Sequence, residues 1–122
     1  MTIATLIVDD HDDVRLLLRL VLEASDSIEV VGEAANGQEA LDRYRDLHPA
    51  VIVLDEMMPG MSGLEVVRAL HERGDEPRVV LCSAHLDRQV LAQASMLGID
   101  RCISKAHMED TVVAVKDLAE TG

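Results

Sequence analysis

From Leu6 to Val14 the chain reads "LIVDDHDDV", an apolar run that ends in four aspartates, and Asp55 ends a second apolar run, "VIVLD". Ionised carboxylates about 5 Å apart in an effective dielectric near 20 repel by roughly 3 kcal/mol per pair, so such crowding calls for a cation. Two adjacent acids, Asp9 and Asp10, with a third, Asp55, from another strand make a site for a hard divalent ion. Mg²⁺ suits it because Mg²⁺ takes few carboxylates and keeps several waters. A carboxylate beside a bound metal, faced by a lysine and a hydroxyl, has the parts needed to accept a phosphoryl group. The metal neutralises charge on the transferring oxygens, the lysine clamps another, and the carboxylate attacks in line. Asp55 stands alone after its run and is the nucleophile of choice, while neighbouring Asp9 and Asp10 are better placed to hold the ion. Asp12 and Asp13 fall at the start of a helix, where negative side chains favour the helix dipole and cap free N–H groups, and their expected role is structural.

The elements that must position these groups follow from the apolar pattern. Runs rich in Val and Ile recur as "IATLIV" (3 to 8), "IEVVGEA" (28 to 34), "VIVL" (51 to 54), "RVVLCS" (78 to 83) and "RCIS" (101 to 104), and read as five strands. Between them lie helical spacings: Val14, Leu17, Leu18 and Val21 as the core stripe of the first helix, then Val90, Ala94 and Leu97, then Met108, Val112, Val115 and Ala119. Strand and helix alternate, which calls for right-handed βαβ crossovers and a doubly wound α/β domain with a parallel sheet. Glu29 and Glu33 mark the second strand as a sheet edge partly in water. Asn36 with Glu39 reads as an N-cap and its capping-box partner, and Gly98 as the stop of the fourth helix. In such a sheet the working crevice lies beyond the carboxyl ends of the strands where strand order reverses. Asp9, Asp10, Asp55, Ser83, Ala84 and Lys105 all follow or end strands, so they are expected on one edge.

The 122 residues fit one domain, 1–122, with no linker, internal repeat or low-complexity tract. A net charge of −12 argues against a phosphate-backbone binding face. Tyr44 is the only aromatic, so stacking on bases is unavailable and no direct nucleic-acid binding is expected. "MTIATLIV" lacks a basic n-region and no stretch approaches a membrane-spanning length, which makes the cytoplasm the expected location. Cys82 and Cys102 have no CxxC or His-rich context and read as two free, buried thiols.

"VDD" at 8 to 10, "VLDEMMPGMSGLEVVRAL" at 53 to 70, "CSAH" at 82 to 85 and "ISK" at 103 to 105 together resemble the receiver domain of two-component response regulators, most closely receivers that precede a helix-turn-helix output domain. The resemblance covers nearly the whole chain. It implies a flavodoxin-like sheet of order 2-1-3-4-5 and phosphorylation of Asp55 by a histidine kinase or a histidine phosphotransfer protein. It further implies Mg²⁺ held by Asp10, Asp55 and the backbone carbonyl of Met57, with Asp9 acting mainly through a metal-bound water. Ser83 and Ala84 would meet the phosphoryl group and Lys105 would pair with one of its oxygens. The phosphorylated form would then change its affinity for a downstream protein, for an output domain not contained in these residues, or for a second copy through the fourth helix, fifth strand and fifth helix. In "MPGMSG", Pro59 fixes φ, and Gly60 and Gly63 permit backbone that a Cβ would resist.

The chain departs from the family pattern where many receivers carry an aromatic residue three positions before the lysine. Here Cys102 stands, and a small thiol cannot swing a ring between buried and exposed positions. Met57 and His85 are expected to flank the phosphoryl group, Met57 hindering an attacking water. The other histidines, His11, His48, His71 and His107, show no zinc-ligand spacing and read as surface residues. Leu16 and Leu20, beside Arg15 and Arg19, lie off the core stripe and form a plausible docking patch for a partner helix. The leading reading is a signalling switch that is not a turnover enzyme. A phosphatase would want a second carboxylate where Met57 stands, and a nucleotide-binding protein would want GxGxxG or GxxxxGK[ST]. The alternative is a degenerate receiver acting as a phosphorylation-independent binding module.

Overall fold

The computed structural model describes residues 1–120, so the last two residues of the expected 1–122 domain and of its "KDLAETG" ending lie outside them. The strands are β1 (Ile3–Val8), β2 (Ile28–Ala34), β3 (Val51–Leu54), β4 (Val79–Ser83) and β5 (Arg101–Ser104). They alternate with α1 (Asp12–Glu23), α2 (Gly37–Leu47), α3 (Gly63–Glu72), α4 (Arg88–Met96) and, after a single 3-10 turn at Lys105–His107, α5 (Asp110–Glu120). All neighbouring strands are parallel, in the order β2-β1-β3-β4-β5.

Strand periodicity divides the core between the two faces of the sheet. Leu6, Val8, Ile52, Leu54 and Leu81 point to one face and pack with Ala40 and Leu41 of α2, Leu64 and Leu70 of α3 and Ala94 of α4. Ile7, Val51, Val53, Val80 and Cys82 point to the other and pack with Leu18 and Leu22 of α1 and Ala114 and Val115 of α5. Successive strand residues alternate in direction, so a strand covered on both faces must be apolar throughout, as "VIVL" is.

Several local expectations are corrected. α1 turns Leu18 and Leu22 into the core and leaves Leu17 half exposed, so the stripe runs through Val14, Leu18 and Leu22 with Val21 at its margin. β2 is an edge strand as expected, but the Glu33 carboxylate is ion-paired to α1, 3.1 Å from Arg15 and 2.8 Å from Arg19. β4 begins at Val79, one residue late. His11 occupies the N-cap position of α1, and of the two acids behind it Asp13 accepts from the next residue's N–H, Val14 N at 2.9 Å, while Asp12 pairs with Arg15. Asn36 caps α2 through Glu39 N at 2.9 Å, but the Glu39 carboxylate returns to Ala35 N, not to Asn36.

The two thiols also differ from expectation, since Cys82 is buried and Cys102 only partly so. Cys102 is the register partner of Leu81, and Cys82 of Ile103. The thiols therefore face opposite sides of the sheet, which rules out an intramolecular disulfide in this fold.

Candidate functional site

Val8 and Leu54 are register partners at the ends of β1 and β3, so Asp9 and Asp55 leave the sheet side by side, at the point where strand order reverses. Their backbones are tied down: Asp55 N donates to Val8 O at 2.9 Å and Asp9 N to Ala34 O at 3.1 Å. Ser83 and Ser104 pair at the ends of β4 and β5, which brings Ser83 and the following Lys105 to the same edge.

Asp9 and Asp55 are buried to 1% and 2% exposure, and one ammonium serves both. Lys105 Nζ lies 2.8 Å from Asp9 Oδ2 and 3.2 Å from Asp55 Oδ2. Burial, followed by the charge on Asp9, holds the Asp55 carboxyl above its usual range, against the opposing pull of Lys105 and a hydrogen bond from Met57 N. Burial pulls the Lys105 ammonium down, but its contact with Asp9 and the charges of Asp55 and Asp9 outweigh this and leave it above its ordinary value. Asp10 is partly exposed and is connected to this group through His11, whose Nδ1 lies 3.2 Å from both Asp9 Oδ1 and Asp10 Oδ1.

Three buried carboxylate oxygens, Asp9 Oδ2, Asp10 Oδ1 and Asp55 Oδ2, have no well-aligned hydrogen-bond donor among the described residues. Their neighbours are the ion-pairing nitrogens of Lys105 and His11. Buried oxygens with spare lone pairs clustered at one place suit a divalent cation, which desolvated carboxylates would otherwise lack.

The loop after β3 is fixed from both ends. Met57 N donates to Asp55 Oδ1 at 3.3 Å, Leu64 N to the Glu56 carboxylate at 2.8 Å, and Gly63 N to Glu56 O at 3.0 Å. Ser62 and Glu65 form a reciprocal capping box at the start of α3. Gly60 takes φ +80°, the left-handed region that favours glycine. Gly63 has a different reason: a Cβ there would collide with the carbonyl oxygen of Asp55 and crowd the Glu56 backbone. Its requirement is close approach rather than the backbone freedom read from the sequence.

The structure thus joins Asp9, Asp55 and Lys105 directly and Asp10 through His11. Ser83 is buried at the same edge and its Oγ accepts from His85 N at 3.2 Å, while Ala84, His85 and the Met57 side chain are exposed. Two members escaped the sequence reading. His11 is exposed, as read, but its contact with both acids was missed although "DDHDD" sets it beside them, and Glu56 was passed over although it precedes the turn whose helix it secures.

The family model described as the response regulator receiver domain matches residues 5–116. The chain is 39% identical over 121 residues to protein-glutamate methylesterase/protein-glutamine glutaminase 5 of Myxococcus xanthus, covering 98% of this chain and 34% of that protein. It is 35% identical over 117 residues to the transcriptional regulatory protein YdfI of Bacillus subtilis, covering 96% of this chain and 54% of that protein. The chain therefore spans between about a third and about half the length of these curated relatives. Among solved structures, the signal receiver domain of NarL from Mycobacterium tuberculosis superposes with a TM-score of 0.91 at 34% identity, over 99% of this chain and 98% of that one.

Proposed function

The chain belongs to the response regulator receiver domain family, and from that premise we propose that Asp55 accepts a phosphoryl group from a histidine kinase or a histidine phosphotransfer protein. The observation that carries the assignment is the lysine shared by Asp9 and Asp55 at the strand-order reversal. A carboxylate oxygen of Asp55 attacks the phosphorus of a phosphohistidine. The P–O bond forms as the P–N bond breaks, and the imidazole nitrogen leaves with the electron pair and takes up a proton. The product is an aspartyl phosphate.

Receivers generally bind Mg²⁺ at an acidic pocket, and the orphaned oxygens of Asp9, Asp10 and Asp55 fit that ion. Asp10, Asp55 and the Met57 carbonyl would hold it, with Asp9 reaching it through water. When bound it supplies charge neutralisation on the transferring oxygens. Lys105 exchanges its contact with Asp55 for one with a phosphoryl oxygen. Ser83 Oγ accepts from His85 N, which leaves its hydroxyl hydrogen free to donate to the same group beside the Ala84 backbone.

The match over 5–116 supports one receiver domain across the chain. Its output is a shift in population toward a form that binds a downstream protein, or an attached output domain, more tightly. The domain acts as a switch, its own chemistry being the phosphoryl transfer to Asp55. Leu16, Leu17 and Leu20 on α1, exposed to 57%, 50% and 61%, offer the phosphodonor a docking surface. No helix among the described residues is long and apolar enough to cross a membrane.

Intact-mass spectrometry after incubation with acetyl phosphate tests the assignment. A gain of one phosphoryl group that requires Mg²⁺ and disappears in Asp55→Asn is expected. No adduct under any condition would overturn the assignment in favour of a phosphorylation-independent binding module.

A further inference from the structure

We propose that His11 is itself a ligand of the bound cation, and that its ring nitrogen biases this site toward divalent ions that accept nitrogen donors, such as Co²⁺ and Mn²⁺, relative to Mg²⁺. The inference deepens the cation-site reading of the acid trio and rests on it.

The geometry begins with the spacing of donor atoms. His11 Nδ1 lies 3.2 Å from Asp9 Oδ1 and 3.2 Å from Asp10 Oδ1, and the three residues offer ligand atoms that all fall within 4.8 Å of one another. Adjacent vertices of an octahedral site with bonds of about 2.1 Å are about 3.0 Å apart, so His11 Nδ1 and Asp10 Oδ1, 3.2 Å apart, are spaced as two neighbouring ligands of one ion. Asp10 Oδ1 at one corner is a buried oxygen with no well-aligned hydrogen-bond donor, as are Asp9 Oδ2 and Asp55 Oδ2 beyond it.

The ring has no task in the structure beyond its contacts with the Asp9 and Asp10 carboxylates. His11 stands at the N-cap position of α1, yet its side chain caps no helical N–H. The ring is 61% exposed, so burial does not explain its inward tilt. Lys105 holds Asp9 on the Oδ2 side, while Asp9 Oδ1 accepts the His11 backbone N–H at 2.9 Å, so the ring stands over the carboxylate on the side away from the lysine. Two carboxylate oxygens alone select for hard ions, whereas an imidazole nitrogen raises affinity along the series from Mn²⁺ to Co²⁺ and contributes little to Mg²⁺.

The test uses the native chain, His11→Ala, His11→Gln and Asp10→Ala, held at a pH well above the ordinary imidazole range. Mn²⁺ affinity is read from the free-ion electron paramagnetic resonance signal, and Co²⁺ and Mg²⁺ affinities by competition against it. Co²⁺ affinity is expected to fall about tenfold in His11→Ala while Mg²⁺ affinity stays within about twofold. Electron spin echo modulation from a directly bound ¹⁴N is expected on Mn²⁺ in the native chain and absent in His11→Ala. His11→Gln keeps a hydrogen-bonding group near Asp9 without the imidazole and is expected to resemble His11→Ala. If His11→Gln restores Co²⁺ affinity, or if the Co²⁺ to Mg²⁺ ratio is unchanged in His11→Ala, His11 is not a ligand. Mg²⁺ binding that is lost in Asp10→Ala would leave the cation site standing in those cases. A native chain that binds none of the three ions would overturn the cation site and His11 with it.

Discussion

Lys105 Nζ stands 2.8 Å from Asp9 Oδ2, nearer than the 3.2 Å that separates it from Asp55 Oδ2, so its closer partner is Asp9. Removing it leaves two buried carboxylates uncompensated. Lys105→Ala is expected to cost the metal-free chain about 3 kcal/mol in urea denaturation at neutral pH, partly recovered by Mg²⁺, and to slow phosphorylation from acetyl phosphate by about tenfold or more. The lysine is held above its ordinary 10.5, so its stabilisation is fully present below that value and is lost as pH rises through the higher folded value. Native chain should therefore show an alkaline loss of stability above 10.5 that Lys105→Ala lacks.

Asp55 gives the opposite prediction. Its carboxyl is raised above 3.8 chiefly by burial and then by Asp9, so the fold favours its neutral form. That contribution is fully present below 3.8 and is lost as pH rises through the folded value, leaving an ionised group that costs stability at neutral pH. Asp55→Asn should make the metal-free chain more stable at neutral pH by about 1 kcal/mol. The gain should vanish on acidification below 3.8, as followed by urea denaturation across that range.

Gly60 and Gly63 share one loop but should respond differently to alanine. At Gly63 the new carbon meets backbone atoms of Asp55 and Glu56, which cannot move aside without shifting Asp55. A loss of about 2 kcal/mol or more and a marked fall in phosphorylation are expected. At Gly60 a Cβ meets nothing within 4 Å, so only the positive φ is penalised, at about 1 kcal/mol, with phosphorylation kept. Thermal unfolding together with intact-mass measurement separates the two.

The exposure of Leu17 makes it a surface residue beside Leu16 and Leu20, next in sequence to buried Leu18. Leu16→Asp and Leu17→Asp should each change stability by no more than about 0.5 kcal/mol, while Leu18→Ala should cost about 3 kcal/mol. Phosphotransfer from the donor protein should fall in the two surface variants while phosphorylation from acetyl phosphate is retained. Equal losses from both donors would place the defect in the site and not in docking.

The two thiols should label at different rates. Burial pushes Cys82 up to about 11, and burial followed by the charge of Asp100 also raises Cys102, which is less enclosed. At pH 8 a thiol with the Cys82 value is about one part in a thousand thiolate, roughly a hundredfold below an ordinary cysteine of 9.0. Iodoacetamide should therefore modify Cys102 first, and mild oxidation should yield no intramolecular disulfide.

What the sequence determined by itself was everything that depends on order and period along the chain. The alternation of "IATLIV", "VIVL" and "VVLC" with helical segments implied a parallel sheet covered on both faces. The placement of Asp9, Asp55, Ser83 and Lys105 just at or after strand ends implied one edge, because parallel strands carry their carboxyl ends to the same side. Tertiary structure decided what depends on how elements meet. A 3.6-residue period allows the α1 stripe to run through Leu17 or through Leu22, and only docking onto Ile7 and Val53 chose the rotation that buries Leu22. The need for glycine at 63 arises from the nearness of Asp55, across a turn whose closure no local pattern displays. His11 is a surface residue, as its sequence reads, but only strand register and the first turn of α1 bring its ring nitrogen against Asp9 and Asp10. The preference of Lys105 for Asp9 over Asp55 is a difference of 0.4 Å between side chains about fifty and a hundred residues apart in sequence, and such distances exist only once the sheet has set its register.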